Sequence, residues 1–233
     1  MRCEGLMARA YQYPFDFAYR QEFRFDDFLA ADNTQLLQFL RGFVTAPERL
    51  CFLHGTVGSG KTHLLQALCQ QSASAVYLPL AQLLSYGPDT LDGLDMLDLL
   101  VVDDLQVVAG HSDWEQRLFA LFNAVQAGGN HLCLAADQPP ATLPLQLADL
   151  RSRLQLCLVF DVHELDDTGK LTLLRRAAAR RGLELKDEVG RYILQRSARD
   201  LHSLLALLDH LDTHSLAEQR RLTQPFVKQC LGW

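Results

Sequence analysis

The sequence predicts an α/β fold, a parallel five-stranded sheet between helices, followed by a small all-α domain. Three observations predict it. Five short apolar runs alternate with helical patterns across the first two thirds of the chain. Each run is apolar throughout rather than at every second position, the mark of strands covered on both faces of a parallel sheet. After Val162 no further strand pattern follows, and only helical periodicity continues. This divides the 233 residues into an arm over 1–22, an α/β domain over 23–163 and a helical domain over 164–233.

The arm shows neither helical nor strand periodicity. Within it, Gln12-Tyr13-Pro14-Phe15-Asp16-Phe17 sets apolar groups at alternate positions, Tyr13, Phe15 and Phe17, after a glutamine. Such a peptide suits docking in a groove on another protein. The alternative is a disordered tail with a few aromatics, or one that folds back on its own core, and the residues alone leave both open. Phe23 to Phe28 alternates aromatic and acidic residues. Asp32-Asn33-Thr34 reads as a capping cluster for an amphipathic helix carrying Leu36, Leu37, Leu40 and Phe43. The strands are expected at about 50–53, 75–78, 97–102, 131–136 and 157–160. Trp114, Leu118, Leu121, Phe122 and Val125 stripe a helix after the third strand, and Gly128-Gly129 ends it. A short helix or turn runs to Arg153. In the last domain Asp166-Asp167-Thr168 caps one helix and Asp187 begins another. Leu201, Leu204, Leu205, Leu208 and Leu211 stripe a third. Thr223 caps a fourth, with Pro225 tolerated in its first turn.

Gly55-Thr56-Val57-Gly58-Ser59-Gly60-Lys61-Thr62 reads G-x-x-x-x-G-K-T, the phosphate-binding P-loop. It lies between the first strand and a helix with Leu64, Leu65 and Leu68. There the helix N-terminus favours an anion. A side chain at Gly60 is expected to crowd the phosphates. Gly55, Gly58, Ser59 and Gly60 would cradle them, Lys61 would supply a cation, and Thr62 a hydroxyl for Mg²⁺. Asp103 ends the third strand, where P-loop proteins place a carboxylate that holds Mg²⁺. Asp104 either polarises the attacking water or turns the chain. Asp137, at the end of the fourth strand, either reaches the phosphates or starts the turn into Pro139-Pro140. Arg151-Ser152-Arg153 offers guanidinium forks to phosphate oxygens, or a surface ion pair. Arg199 would reach the cleft if the helical domain closed over it. Arg175, Arg176, Arg180 and Arg181 read as a solvated helix face. His54, His63 and His131 form no metal-ligating constellation.

Composition narrows the class. The longest apolar stretches fall short of the about 18 residues of a membrane span, and no signal peptide is legible. The cysteines (Cys3, Cys51, Cys69, Cys133, Cys157 and Cys230) include no C-x-x-C pair. Cys51, Cys133 and Cys157 fall inside expected core strands, which suits a reducing cytoplasm. Net charge is −6, and residues 1–163 carry 10 Lys/Arg against 18 Asp/Glu. No Lys or Arg occurs between Thr62 and Arg117, which argues against DNA lying across that face.

The ordered set G-K-T-H-L-L, Leu99-Leu-Val-Val-Asp-Asp-Leu-Gln106, Leu118-Phe119-Ala-Leu-Phe122-Asn123, Ala136-Asp137-Gln-Pro-Pro140 and Leu150-Arg-Ser-Arg153-Leu resembles the AAA+ module of the bacterial replication initiator DnaA. The resemblance covers about residues 23–233. The chain stops where DnaA would continue into a helix-turn-helix domain. Asp187 to Leu194 and Gln219 to Lys228 most resemble the Hda family of DnaA-related regulators. That resemblance implies a protein that, with the sliding clamp of DNA polymerase III (its beta subunit), promotes hydrolysis of DnaA-bound ATP. It implies ADP or ATP with Mg²⁺ as ligands, His63 among the nucleotide-contacting residues, Asp137 as sensor 1 and Arg199 as sensor 2. Arg153 becomes a trans-acting arginine finger, and Gln12 to Phe17 the clamp-binding peptide, although aromatics replace leucines there. It implies no direct sequence-specific DNA binding and no membrane, and it admits a homo-oligomer. A helicase loader or other DNA-handling ATPase, or a self-sufficient ATPase, are the competing readings.

Overall fold

The computed structural model describes residues 23–198, 200–218 and 220–233. The expected peptide Gln12–Phe17 and Arg199 lie outside the described residues. The five apolar runs form strands at Leu50–His54 (β1), Ala75–Pro79 (β2), Leu99–Asp103 (β3), His131–Ala136 (β4) and Leu158–Asp161 (β5). All pairs are parallel, in the order β2-β3-β4-β1-β5. Register puts Cys51 opposite both Cys133 and Leu158, and Val101 opposite Cys133. The carboxyl ends of β1, β3 and β4 therefore open on the same end of the sheet. Gly55, Asp104 and Asp137 each follow one of those ends.

Because strand side chains alternate, each central strand feeds two cores. On one face Cys51, Leu53, Val101, Cys133 and Ala135 meet α1 (Thr34–Gly42) and α2 (Lys61–Cys69) through Leu40, Leu64, Leu65 and Leu68. On the other, Phe52, Leu100, Val102 and Leu134 meet α4 (Ser112–Gly128) and α5 (Ala148–Leu154) through Trp114, Leu118, Phe122 and Leu154. A short α3 (Leu80–Leu83) and single 3₁₀ turns fill the path from β2 to β3. Gly129, left-handed at φ 72°, ends α4 by donating its N–H to the carbonyls of Gln126 and Val125.

Four expectations need correction. Leu158 and Val159 of β5 are 42% and 40% exposed. β5 is an edge strand, and only Phe160 is backed, by Phe39 of α1 at 4.9 Å. Cys157 is buried but sits in the bend before β5 rather than within the strand. Asn33 stands at the N-cap of α1 without capping it. Its side chain instead donates to the carbonyl of His163 and accepts that residue's N–H, both at 2.8 Å. The third strand also starts later than expected, at Leu99, because a 3₁₀ turn occupies Leu94–Met96.

Beyond β5 follow α6 (Asp167–Arg180), α7 (Asp187–Arg196), α8 (Leu201–Glu218) and α9 (Gln224–Leu231). Leu174, Val189, Ile193, Leu204, Leu208 and Phe226 form a core of their own. Asp166 and Thr223 cap α6 and α9 by accepting the N–H of Gly169 and Phe226. The arginine face is solvated as expected, with Arg175 and Arg180 more than half exposed, but three of its four arginines also carry ion pairs. Arg175 pairs with Asp187, Arg181 with Asp209, and Arg180 reaches back to Asp27. Among the described residues, no helix is long and apolar enough to cross a membrane.

Candidate functional site

β1 ends at His54, the loop Gly55–Gly60 turns the chain, and α2 begins at Lys61 with its N-terminus at the loop. Gly60 adopts φ 100°, and a Cβ there would come within 2.7 Å of the Phe28 ring. What crowds this position in the structure is thus the segment before α1, not only a ligand. Lys61 Nζ donates to the carbonyls of Gly55 at 2.6 Å and Thr56 at 2.9 Å, folded across the loop. Ser59 Oγ is buried with no hydrogen-bond partner among the described residues. A buried hydroxyl without a partner, beside an ammonium and a helix N-terminus, fits a phosphate oxygen.

Asp103 is 1% exposed. Its Oδ2 accepts from the hydroxyls of Thr62 at 2.7 Å and Tyr77 at 2.8 Å, and its Oδ1 from the Asp104 N–H at 2.9 Å. Burial, and then the charge of Asp104, push its carboxyl above the usual range, and the three hydrogen bonds pull it back. Burial likewise lowers Lys61, opposed by the charges of Asp103, Asp104, Asp137 and Glu164. These four carboxylates favour the same ammonium. Thr62 and Asp103 bring two hard oxygen donors together, as a P-loop magnesium site requires. Among the described residues no cluster of three His, Cys, Asp or Glu could hold a metal; a magnesium ion on Thr62 and Asp103 would take its remaining ligands from water or phosphate oxygens.

Asp104 is left-handed, at φ 59° and ψ 41°, a conformation that Asp tolerates better than most residues. Its Oδ1 accepts from Gln106 Nε2 at 3.1 Å, while Gln106 Oε1 accepts the Asp137 N–H at 3.3 Å. Gln106 thereby joins the ends of β3 and β4. Asp137 itself is exposed. His63 packs against the segment before α1. It stacks on Phe23 at 4.7 Å, meets Phe28 edge-on at 5.5 Å, and sets Nε2 2.8 Å from the Arg24 carbonyl. Burial lowers its pKa, partly offset by the Arg24 carbonyl. It pins the segment before α1 to the first turn of α2. From the other side, Asp200 Cβ lies 3.8 Å from where a Cβ on Gly58 would stand, so the start of α8 covers the loop.

Tyr77, Gln106 and Glu164 are site residues that the sequence reading missed. Tyr77 carried a signal, a hydroxyl in an otherwise apolar strand. Glu164 carried none: it accepts a hydrogen bond from Thr56 only because β5 ends beside β1, and it also lies 3.6 Å from Lys170 in α6.

Arg153 is elsewhere. It lies in the last turn of α5, half-buried, and engages no carboxylate or hydrogen-bond acceptor among the described residues. α5 delivers the chain to Leu158, which pairs with Cys51 at the amino end of β1. α5 thus runs into the end of the sheet opposite the P-loop. Just after it, Leu156 is 54% exposed. Leu156 and Leu158 border a groove of about 500 Å³ that also takes in Arg49, Leu50, Gln126 and Asn130.

Known proteins match in two blocks and along most of the chain. Residues 92–161 match the family described as the bacterial DnaA ATPase domain, and 167–231 the one described as Hda, lid domain. An uncharacterized protein of Haemophilus influenzae is 38% identical over 213 residues, covering 89% of this chain and 92% of that protein. Domain III of the replication initiation protein DnaA from Thermotoga maritima superposes with a TM-score of 0.79 at 22% identity, covering 91% of this chain and 97% of that one. AMPPCP-bound DnaA from Aquifex aeolicus gives 0.69 at 21% identity, over 83% of this chain and 66% of that one.

Proposed function

Because this chain belongs to the Hda branch of the DnaA-type AAA+ family, we propose that it is a nucleotide-dependent activator of DnaA-bound ATP hydrolysis. ADP or ATP binds at Gly55–Thr62, where Ser59 and Lys61 meet phosphate oxygens. Thr62 and Asp103 would hold Mg²⁺, which when bound neutralises phosphate charge. Nucleotide under the start of α8 fixes the position of the helical domain. Arg153 then enters the ATP site of DnaA and steadies charge that develops on the transferred phosphoryl group. Turnover of DnaA to its ADP form restrains replication initiation. Gln12, Tyr13, Phe15 and Phe17 tether the protein to the sliding clamp; this part rests on the sequence pattern alone.

The observation that carries the reading is the placement of Arg153. An arginine without an ion pair among the described residues, at the sheet end away from its own P-loop, is better placed for a neighbour's phosphates than for its own. Exposed Leu156 beside it suits a protein partner. The test is ATP turnover by purified DnaA with and without this protein, clamp and DNA. Arg153→Ala should still fold and bind nucleotide, yet lose stimulation by a factor on the order of 10³. Undiminished stimulation by that variant would sink the proposal.

A second reading, hydrolysis at its own site, is favoured by the intact Lys61 and by Asp104 held beside Gln106. Turnover by this protein alone, abolished in Lys61→Ala and indifferent to DnaA, would support it instead.

A further inference from the structure

Glu115 sits in the first turn of α4 and is 0% exposed. Its Oε1 accepts the N–H of Gly110 at 2.7 Å and of Gln146 at 3.1 Å, and its Oε2 the N–H of Leu147 at 2.6 Å. No Lys, Arg or His pairs with it among the described residues. A buried carboxylate without a cation is costly unless its oxygens are met by donors, and here three backbone donors meet them. Those donors come from two segments. Gly110 belongs to the path that leaves Asp103 and Asp104 at the nucleotide site and runs through Gln106 to α4. Gln146 and Leu147 lead into α5, with Leu147 as its N-cap residue. Arg153 lies on α5 itself. One side chain thus clamps the segment leaving the P-loop site to the helix that carries the finger.

We infer that Glu115 is a positioning residue: it sets α5, and through it Arg153, according to the state of residues 104–111 at the protein's own nucleotide site. The inference rests on the reading of Arg153 as a trans-acting finger. A finger displaced by about 1 Å can lose on the order of 10²-fold in rate, so a clamp on its helix has a measurable output.

The experiment measures hydrolysis of DnaA-bound ATP against increasing concentrations of the full-length protein, with the parent, Glu115→Gln, Leu147→Pro and Arg153→Ala in parallel. Glu115→Gln presents an amide N–H₂ to one of the donors. Leu147→Pro deletes a donor from the far side, at φ −77°, a value proline adopts. Both variants should bind a fluorescent ADP analogue within about threefold of the parent and keep its half-saturating concentration. Their plateau stimulation should fall by about tenfold or more. A role confined to stability would lower the melting temperature and leave that plateau untouched. Nucleotide-binding variants with plateaus within about twofold of the parent would overturn the inference while leaving the finger intact. So would loss of the fold in both, since Glu115 would then act through stability alone. An unaltered plateau for Arg153→Ala removes the finger reading, and this inference with it.

Discussion

Gly60→Ala tests how the P-loop is held. The glycine is at φ 100°, and its Cβ would stand 2.7 Å from Phe28 Cε2, where carbon atoms prefer about 3.5–4.0 Å. A left-handed backbone costs an L residue about 1–2 kcal/mol. Forcing an extra methyl against a packed ring costs about 1–3 kcal/mol more. The substitution should therefore lower unfolding free energy by about 2–5 kcal/mol. Phe28→Ala in the same chain should relieve the overlap and leave the backbone cost, so the double-mutant cycle should show about 1–3 kcal/mol of coupling. Urea denaturation of the four proteins measures it, and titration with ADP reads the ligand side. Strict additivity would refute the reasoning. It would mean that bulk at Gly60 acts only on a bound phosphate, as the sequence alone suggests.

Two further outcomes are expected. Asp103 is held above the usual carboxylate range by burial and by Asp104, so folding favours its acid form. Its contribution to stability is full below the unfolded value and is lost as pH rises through the folded one. Asp103→Asn should remove that decline from denaturation midpoints measured across pH. Magnesium-dependent nucleotide affinity should run the opposite way, falling as pH drops through the raised value. Affinity that stays level down to the ordinary carboxylate range would contradict this. Asn33→Ala removes two hydrogen bonds to the His163 backbone and should cost about 1–3 kcal/mol by chemical denaturation, with Asn33→Asp intermediate. A loss below about 0.5 kcal/mol would show that this tie is dispensable.

Much of the fold was legible because strand burial and strand hydrophobicity are the same quantity in a central strand. Leu99 to Val102 can only be apolar if both faces of β3 are covered. The inference fails at β5, where Leu158 and Val159 are as apolar as a core strand and yet stand at the sheet edge. One-dimensional pattern carries no strand order. The P-loop, Asp103 and the strand-end aspartates could be read because their spacing follows the chain through consecutive elements. Glu164 and Glu115 could not, since each acts on residues brought near by sheet register or helix packing, and Tyr77 was legible only as a lone hydroxyl in an apolar strand. Asn33 shows the same limit at short range. Its sequence context is that of a cap, but the partner that satisfies its side chain is the backbone of His163.

The helical segment beyond β5 keeps a core that shares no residue with the two cores flanking the sheet. Turning it as a rigid body leaves the leucines of that core with their neighbours. What must yield are contacts of the kind made by Arg180 with Asp27, whose arginine is more than half exposed. Pairs of that kind contribute about 0–1 kcal/mol each. Converting a joint from 1:99 to 99:1 between two angles takes about 5.5 kcal/mol of differential affinity. The joint is therefore compliant relative to the bodies it links, and a nucleotide bound as proposed, against both sides of it, would need a differential affinity of about that size to decide the angle.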